Sequence, residues 1–180
     1  MKYKKIVTAT ALTASFSAFV PLALAVEKPE EITVGIATFL SGSASVFGVP
    51  GRDAAELYIE ELNAQGGIHG VPVRALFIDE GRGSSGMVSD YRRIVQEENA
   101  DLMMGAISSG HCLAIGPVAE DLEIPNIMWD CGTERALENQ DYEWSVRSGA
   151  NAVTEMVASV LYLLTVNPDF KTIAVVNQDY

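Results

Sequence analysis

The 180-residue chain is poor in cysteine, histidine and basic side chains: two Cys, two His, and 12 Lys plus Arg against 24 Asp plus Glu. Each shortage excludes something. Two cysteines supply one staple and no disulfide scaffold. Two cysteines with two distant histidines, His69 and His111, show no metal-ligand spacing, so neither a metal nor a cofactor is expected. The lack of a basic patch argues against nucleic acid and against anionic membrane surfaces. No G-x-S-x-G elbow, H-E-x-x-H helix or plausible Ser/His/Asp arrangement is present, and the chain does not read as an enzyme. Gly81-Arg82-Gly83 contains G-x-G without the rest of a nucleotide fingerprint. No internal repeat or low-complexity segment appears.

What is present begins with an export signal. Met1 to Lys5 is basic, Ile6 to Leu22 mostly apolar, and Ala23-Leu24-Ala25 an A-x-A site, so cleavage is expected after Ala25. The stretch is about long enough to span a membrane, but its threonines and serines and Pro21 weaken that reading. Without Lys2, Lys4 and Lys5 the mature chain keeps 9 basic residues against 24 acidic, a net charge of about −15. The expectation is a soluble, exported protein in an oxidising compartment.

Beyond residue 25, extended segments alternate with helical ones. Strands are expected at Ile32–Leu40, Val71–Ile78, from Asp101, at Ile124–Trp129, at Trp144–Arg147, and from Thr172 to Val176. Ser41–Gly48 reads as a loop and Asp79–Ser85 as a turn. Tyr58, Ile59 and Leu62 mark the first helix, closed by Gly66-Gly67. Met87, Tyr91, Ile94 and Val95 mark the second, and Ile115, Val118, Ala119 and Leu122 the third. Asn151 caps a fourth, ended by Asn167-Pro168. Such alternation predicts an α/β fold with a parallel, doubly wound sheet, whose ligands collect beyond the carboxyl ends of the strands.

One of those ends, Ser108-Ser109-Gly110-His111-Cys112, joins an apolar strand to a helix. Free N–H groups and the helix dipole make such a junction suited to an anion. Ser109 adds a hydroxyl, and Gly110 admits close approach to the backbone. The plainer reading is a turn whose serine caps the helix. His111 reads as a ligand contact or as an exposed helix-start residue, and Trp129 as strand packing or a stacking platform. Cys112 follows the third strand and Cys131 ends the fourth. If those strands are neighbours, their ends lie about 5 Å apart, inside the window of about 4.4–6.8 Å between Cα atoms that a disulfide needs. A Cys112–Cys131 bridge is expected, the alternative being two buried thiols acting as small apolar groups.

The segments VGIATFLSGSASVFGVPGRDAAELYIEELNAQGGIHG and GAISSGHCLAIGPVAEDLEIP resemble the type I periplasmic solute-binding proteins of ABC transporters, nearest the leucine/isoleucine/valine-binding group. The resemblance covers residues 31 onward. It implies two Rossmann-like lobes joined by a hinge and closing on a solute. On that map residues 26–147 form the first lobe, and residues 148–180 the hinge end and truncated start of the second. It further implies a monomeric, extracytoplasmic importer component that delivers a small organic solute, an amino acid or carboxylate, to a membrane permease. The alternatives are a ligand-sensing receptor domain of the same fold, or a binder of aromatic or aliphatic acids.

By the same resemblance, Ser109 matches the serine that binds the ligand carboxylate, and Phe47 an aromatic that walls the pocket. Asp130 and Gly132 match the positions that hold an amino acid's ammonium. Gly132 lacks the hydroxyl found there in the family, and Asp130 serves either as a replacement partner or as a solvated loop aspartate. Tyr180 lies near where second-lobe aromatic contacts would arise.

Overall fold

The computed structural model describes residues 28–175; the export signal, its cleavage after Ala25, and Tyr180 lie outside the described residues. Five strands form one parallel sheet: β1 (Ile32–Thr38), β2 (Val73–Asp79), β3 (Leu102–Met104), β4 (Asn126–Met128) and β5 (Ser145–Arg147). Their spatial order is β2-β1-β3-β4-β5. The helices are α1 (Ser45–Ala64), α2 (Gly83–Gln96), α3 (Ser109–Leu122) and α4 (Ala152–Val166), with single 3-10 turns at Glu80–Arg82 and Glu134–Ala136.

The order reverses after β2, because the connection through α2 passes over β1 to reach β3. Right-handed crossovers then put α1 on one face of the sheet and α2 and α3 on the other. The second face carries the larger core: Met87, Tyr91 and Ile94 of α2, with Ile115 and Ala119 of α3, pack on Ile78, Met103 and Met128. Under α1, Ile59 and Leu62 pack on Val34, Ile36 and Val73. β1 is the middle of this assembly, paired along its full length with β2 from Ile32–Val73 to Thr38–Asp79. Its run of consecutive buried residues is what a strand covered on both faces requires.

Two local expectations fail. Helix α1 begins at Ser45, inside the stretch read as a loop, and accommodates Pro50 at its sixth position with the loss of one backbone hydrogen bond. Residues 171–175 take no strand; among the described residues no strand pairs with them, and an extended segment without a ladder partner has no backbone bonds to hold it. The Asn151 cap is present, its side chain accepting from Thr154 N at 2.8 Å. α4 buries none of its residues, so Met156, Leu161 and Tyr162 stay exposed. No helix among the described residues is long and apolar enough to cross a membrane.

Candidate ligand-binding site

The carboxyl ends of β1, β2 and β3 are tied together by two adjacent acidic residues. Asp79, the last residue of β2, accepts hydrogen bonds from Leu40 N at 2.9 Å, Ser41 N at 3.1 Å, Ser41 Oγ at 2.7 Å and Gly81 N at 2.8 Å. Burial alone would push this carboxyl up; the four donors outweigh it and hold it below the usual carboxylate range.

Glu80 follows and turns inward, 1% exposed. Its carboxylate accepts from Ile107 N at 2.8 Å and Ser108 N at 3.1 Å, and lies 2.8 Å from His111 Nδ1. A residue from the end of β2 therefore organises the loop after β3. The His111 ring also packs against Phe39, with centroids 5.7 Å apart. The expectation of an exposed helix-start histidine is corrected: His111 is 9% exposed, because Glu80 draws its ring beneath the loop.

Above this pair opens a cleft of about 550 Å³, lined by Phe39, Phe47, Glu80, Ile107, Ser108, Ser109 and His111 among others. Ser108 stands at the N-cap of α3, yet its side chain makes no capping bond. The N–H groups of Ser109, Gly110 and His111 have no acceptor within the helix by position. The junction is thus an open set of neutral donors. A second cavity, of about 460 Å³, lies between α1 and the sheet and is walled by Val34, Ile36, Ile59, Leu62 and Met104. It is almost wholly apolar and lies away from the donors, which makes it the poorer candidate for a polar solute.

The structure brings Phe47, Ser109 and His111 to one cleft and leaves Gly110 at its exposed margin. Phe47 is 67% exposed, a wall with one face in water. Gly132 lies beside Ser109: a Cβ placed on it would sit 3.8 Å from Ser109 Oγ, an ordinary contact. Its carbonyl is occupied, accepting from Ala152 N at 2.7 Å. Asp130 is exposed and does not line the cleft. Trp129 packs over the sheet, donating from Nε1 to the Ala37 carbonyl at 3.3 Å. Sequence reasoning missed Phe39, Asp79 and Glu80. The signal available was that all three stand at strand ends in a doubly wound sheet.

Partial desolvation first, then the neighbouring Glu155 and Glu80, hold the Asp130 carboxyl above its ordinary range. The folded state therefore disfavours this charge. The penalty is absent below the unfolded carboxyl pKa of about 3.9 and grows as pH rises through the folded value. Asp130→Asn is expected to raise the urea midpoint at pH 7 and to leave it unchanged near pH 3. An equal gain at both pH values would contradict this origin.

Cys112, in the first turn of α3, and Cys131, just beyond the end of β4, are both buried, free thiols. The neighbouring Cys131 thiol and then burial push the Cys112 thiol up. Cys131 is held low, first by the Cys112 thiol and further by Arg147, against the opposing effect of burial. Arg147 donates to Glu138 at 2.7 Å and to the Thr133 carbonyl, which fixes its guanidinium beside the loop.

Residues 31–180 match the family model described as periplasmic binding protein. A curated relative, the Leu/Ile/Val-binding protein homolog 7 of Brucella abortus (strain 2308), is 30% identical over 116 residues. That match covers 61% of this chain and 28% of the relative, so the chain spans less than a third of the relative's length. Among solved structures, the extracellular ligand-binding receptor from Rhodopseudomonas palustris HaA2 is 26% identical with a TM-score of 0.61. The match covers 76% of this chain and 36% of that one. The solute binding protein of an ABC transporter from Rhodopseudomonas palustris BisB5, solved with 3,4-dihydroxy benzoic acid, shares the fold. It has a TM-score of 0.69 at 16% identity, covering 77% of this chain and 37% of that one. The chain belongs to the periplasmic binding protein family, and its curated relatives are Leu/Ile/Val-binding protein homologues.

Proposed function

We propose that the chain contributes one wall of a solute-binding site in the extracytoplasmic component of an ABC importer, taking a small organic acid. The observation that carries this reading is the cleft at the carboxyl edge of the sheet. There Ser109 and the uncapped start of α3 offer neutral donors between the apolar walls of Phe39 and Phe47. A carboxylate placed there would accept from the Ser109 hydroxyl and from the N–H groups of Gly110 and His111. Gly132 lies beside Ser109, and Asp130, outside the cleft lining, would meet an ammonium only once the second lobe has closed on the ligand. The chain does no catalysis in this reading. Residues 26–147 form the first lobe, and residues 148–180 lead into a second that closes on the solute. The protein is exported to the periplasm with its signal cleaved after Ala25, and the whole protein acts as a monomer that docks on a membrane permease. A receptor role is a second reading, favoured by the ligand-binding receptor from Rhodopseudomonas palustris at 26% identity.

The test is calorimetric. Ser109→Ala is expected to weaken binding of an organic acid by roughly 1.5–3 kcal/mol, the worth of a hydrogen bond to a charged group. The unfolding midpoint should stay unchanged, because Ser108 and not Ser109 stands at the N-cap of α3. Unchanged affinity removes Ser109 from the site.

The same reading includes a Cys112–Cys131 disulfide. The bridge would tie the Ser109 loop to the Gly132 loop and reduce the entropy lost when a ligand orders them. Both thiols are buried and near enough for each to shift the other's titration, and the periplasm is oxidising. Thiol titration of denatured, unreduced protein from the periplasm is expected to find no free thiol. Two per chain would sink the bridge.

A further inference from the structure

The carboxylate-binding reading leaves a polar ring atom of the cleft unused. Glu80 is fully buried and holds three donors, the N–H groups of Ile107 and Ser108 and the Nδ1 of His111. A carboxylate can only accept, so Nδ1 carries its proton toward Glu80 and the tautomer is set. In the neutral imidazole the lone pair then sits on Nε2. Among the described residues Nε2 makes no hydrogen bond, and it is not among the side-chain atoms sealed from solvent without a partner. It is the ring's open polar atom, and His111 lines the cleft beside Ser109. Phe39 and the Glu80 bond hold the ring in place, so its acceptor is fixed before any ligand arrives. Among the described residues no lysine or arginine lines the cleft, and the Glu80 carboxylate lies 2.8 Å from the ring's Nδ1.

The geometry points to His111 as the specificity-determining residue of this site. Its Nε2 accepts a hydrogen bond from a hydroxyl group of the ligand, so the cleft selects monocarboxylates that carry a hydroxyl. The inference rests on the carboxylate reading above and adds the second polar group of the solute. A ligand without the hydroxyl leaves a half-buried acceptor unpaired, and a ligand with a second carboxylate sets two lone pairs and a buried anion against each other. Glu80 acts through His111 as a positioning residue, since loss of its carboxylate frees the ring to take the other tautomer.

Two matched pairs of acids test this on the full chain by titration calorimetry: 4-hydroxybenzoate against benzoate, and 2-hydroxyisocaproate against isocaproate. At least one hydroxylated acid is expected to bind about 10- to 100-fold more tightly than its partner. In His111→Val that ratio is expected to fall to within about twofold, whatever the change in absolute affinity. Equal affinities within both pairs, or a preference that survives His111→Val, would overturn the assignment and leave carboxylate binding standing. Binding of none of the four acids would overturn both. Nitrogen-15 spectra of the unsubstituted protein labelled at histidine give an independent reading should the variant not fold. They are expected to show His111 protonated at Nδ1 and bare at Nε2, and a proton on Nε2 in the neutral ring would overturn the proposal.

Discussion

Glu80→Ala should lower the unfolding free energy by about 3–5 kcal/mol, read from urea midpoints at pH 7. The substitution removes a side chain that is 1% exposed and that satisfies Ile107 N, Ser108 N and His111 Nδ1 at once. Each donor left unpaired in a buried setting costs about 1–3 kcal/mol, less where water can enter through the cleft. Glu80→Gln keeps the volume but exchanges one acceptor for a donor, so one of the three partners is lost and the cost falls between the two. The damage is local first. Amide exchange at Ile107 and Ser108 should accelerate before exchange at Met103 or Ile36 does, because the loop loses its anchor while the sheet keeps its ladder. A loss below about 1 kcal/mol for Glu80→Ala would mean that the loop holds itself.

Gly48→Val should be comparably severe, upward of about 3 kcal/mol, for a steric reason. Gly48 lies in the first turn of α1, where the helix crosses the end of β1 so closely that a Cβ would sit 2.0 Å from the Phe39 carbonyl oxygen. The obstacle is backbone, which cannot swing aside as a flexible side chain would. Overpacking at yielding sites costs about 1–3 kcal/mol, and this site does not yield. Relief requires α1 to lift from the sheet, carrying Phe47 with it and displacing Phe39, and both rings line the cleft. The variant that does fold should therefore also lose ligand affinity. A stable Gly48→Val protein with unchanged affinity would place α1 farther from β1 than the structure has it.

Much of the architecture is legible in the residue pattern. β1 shows as an apolar run, Asn151 as a cap before an apolar face, and Ser108-Ser109-Gly110 as a small polar junction between strand and helix, and each is where the pattern puts it. The start of α1 is not legible, because Ser, Gly and Pro between Ser41 and Gly51 are loop residues by local preference. Tertiary contact overrides that preference when the Thr38 hydroxyl donates to the Gly48 carbonyl at 3.4 Å and Gly48 packs on Phe39. The site divides the same way. Ser109 and Phe47 sit in recognisable positions, but Glu80 reads as one more charge in a polar turn. Its partner His111 is 31 positions away, and only the pairing of β1 with both β2 and β3 brings the two together. Periodicity records which face a residue takes; it does not record which loops meet.

The central claim, that the cleft around Ser109 takes a small organic acid, meets its most direct test in a thermal-shift screen. The panel would hold amino acids, aromatic acids and aliphatic acids, each applied to the unsubstituted protein and to Ser109→Ala. A ligand present at a hundred times its Kd adds about 2.7 kcal/mol to the unfolding free energy, a shift well above the noise of such a screen. The account predicts that at least one acid raises the Tm of the unsubstituted protein, and that the rise shrinks or disappears in Ser109→Ala. A panel that moves neither protein, or an acid that shifts both by the same amount, would contradict it.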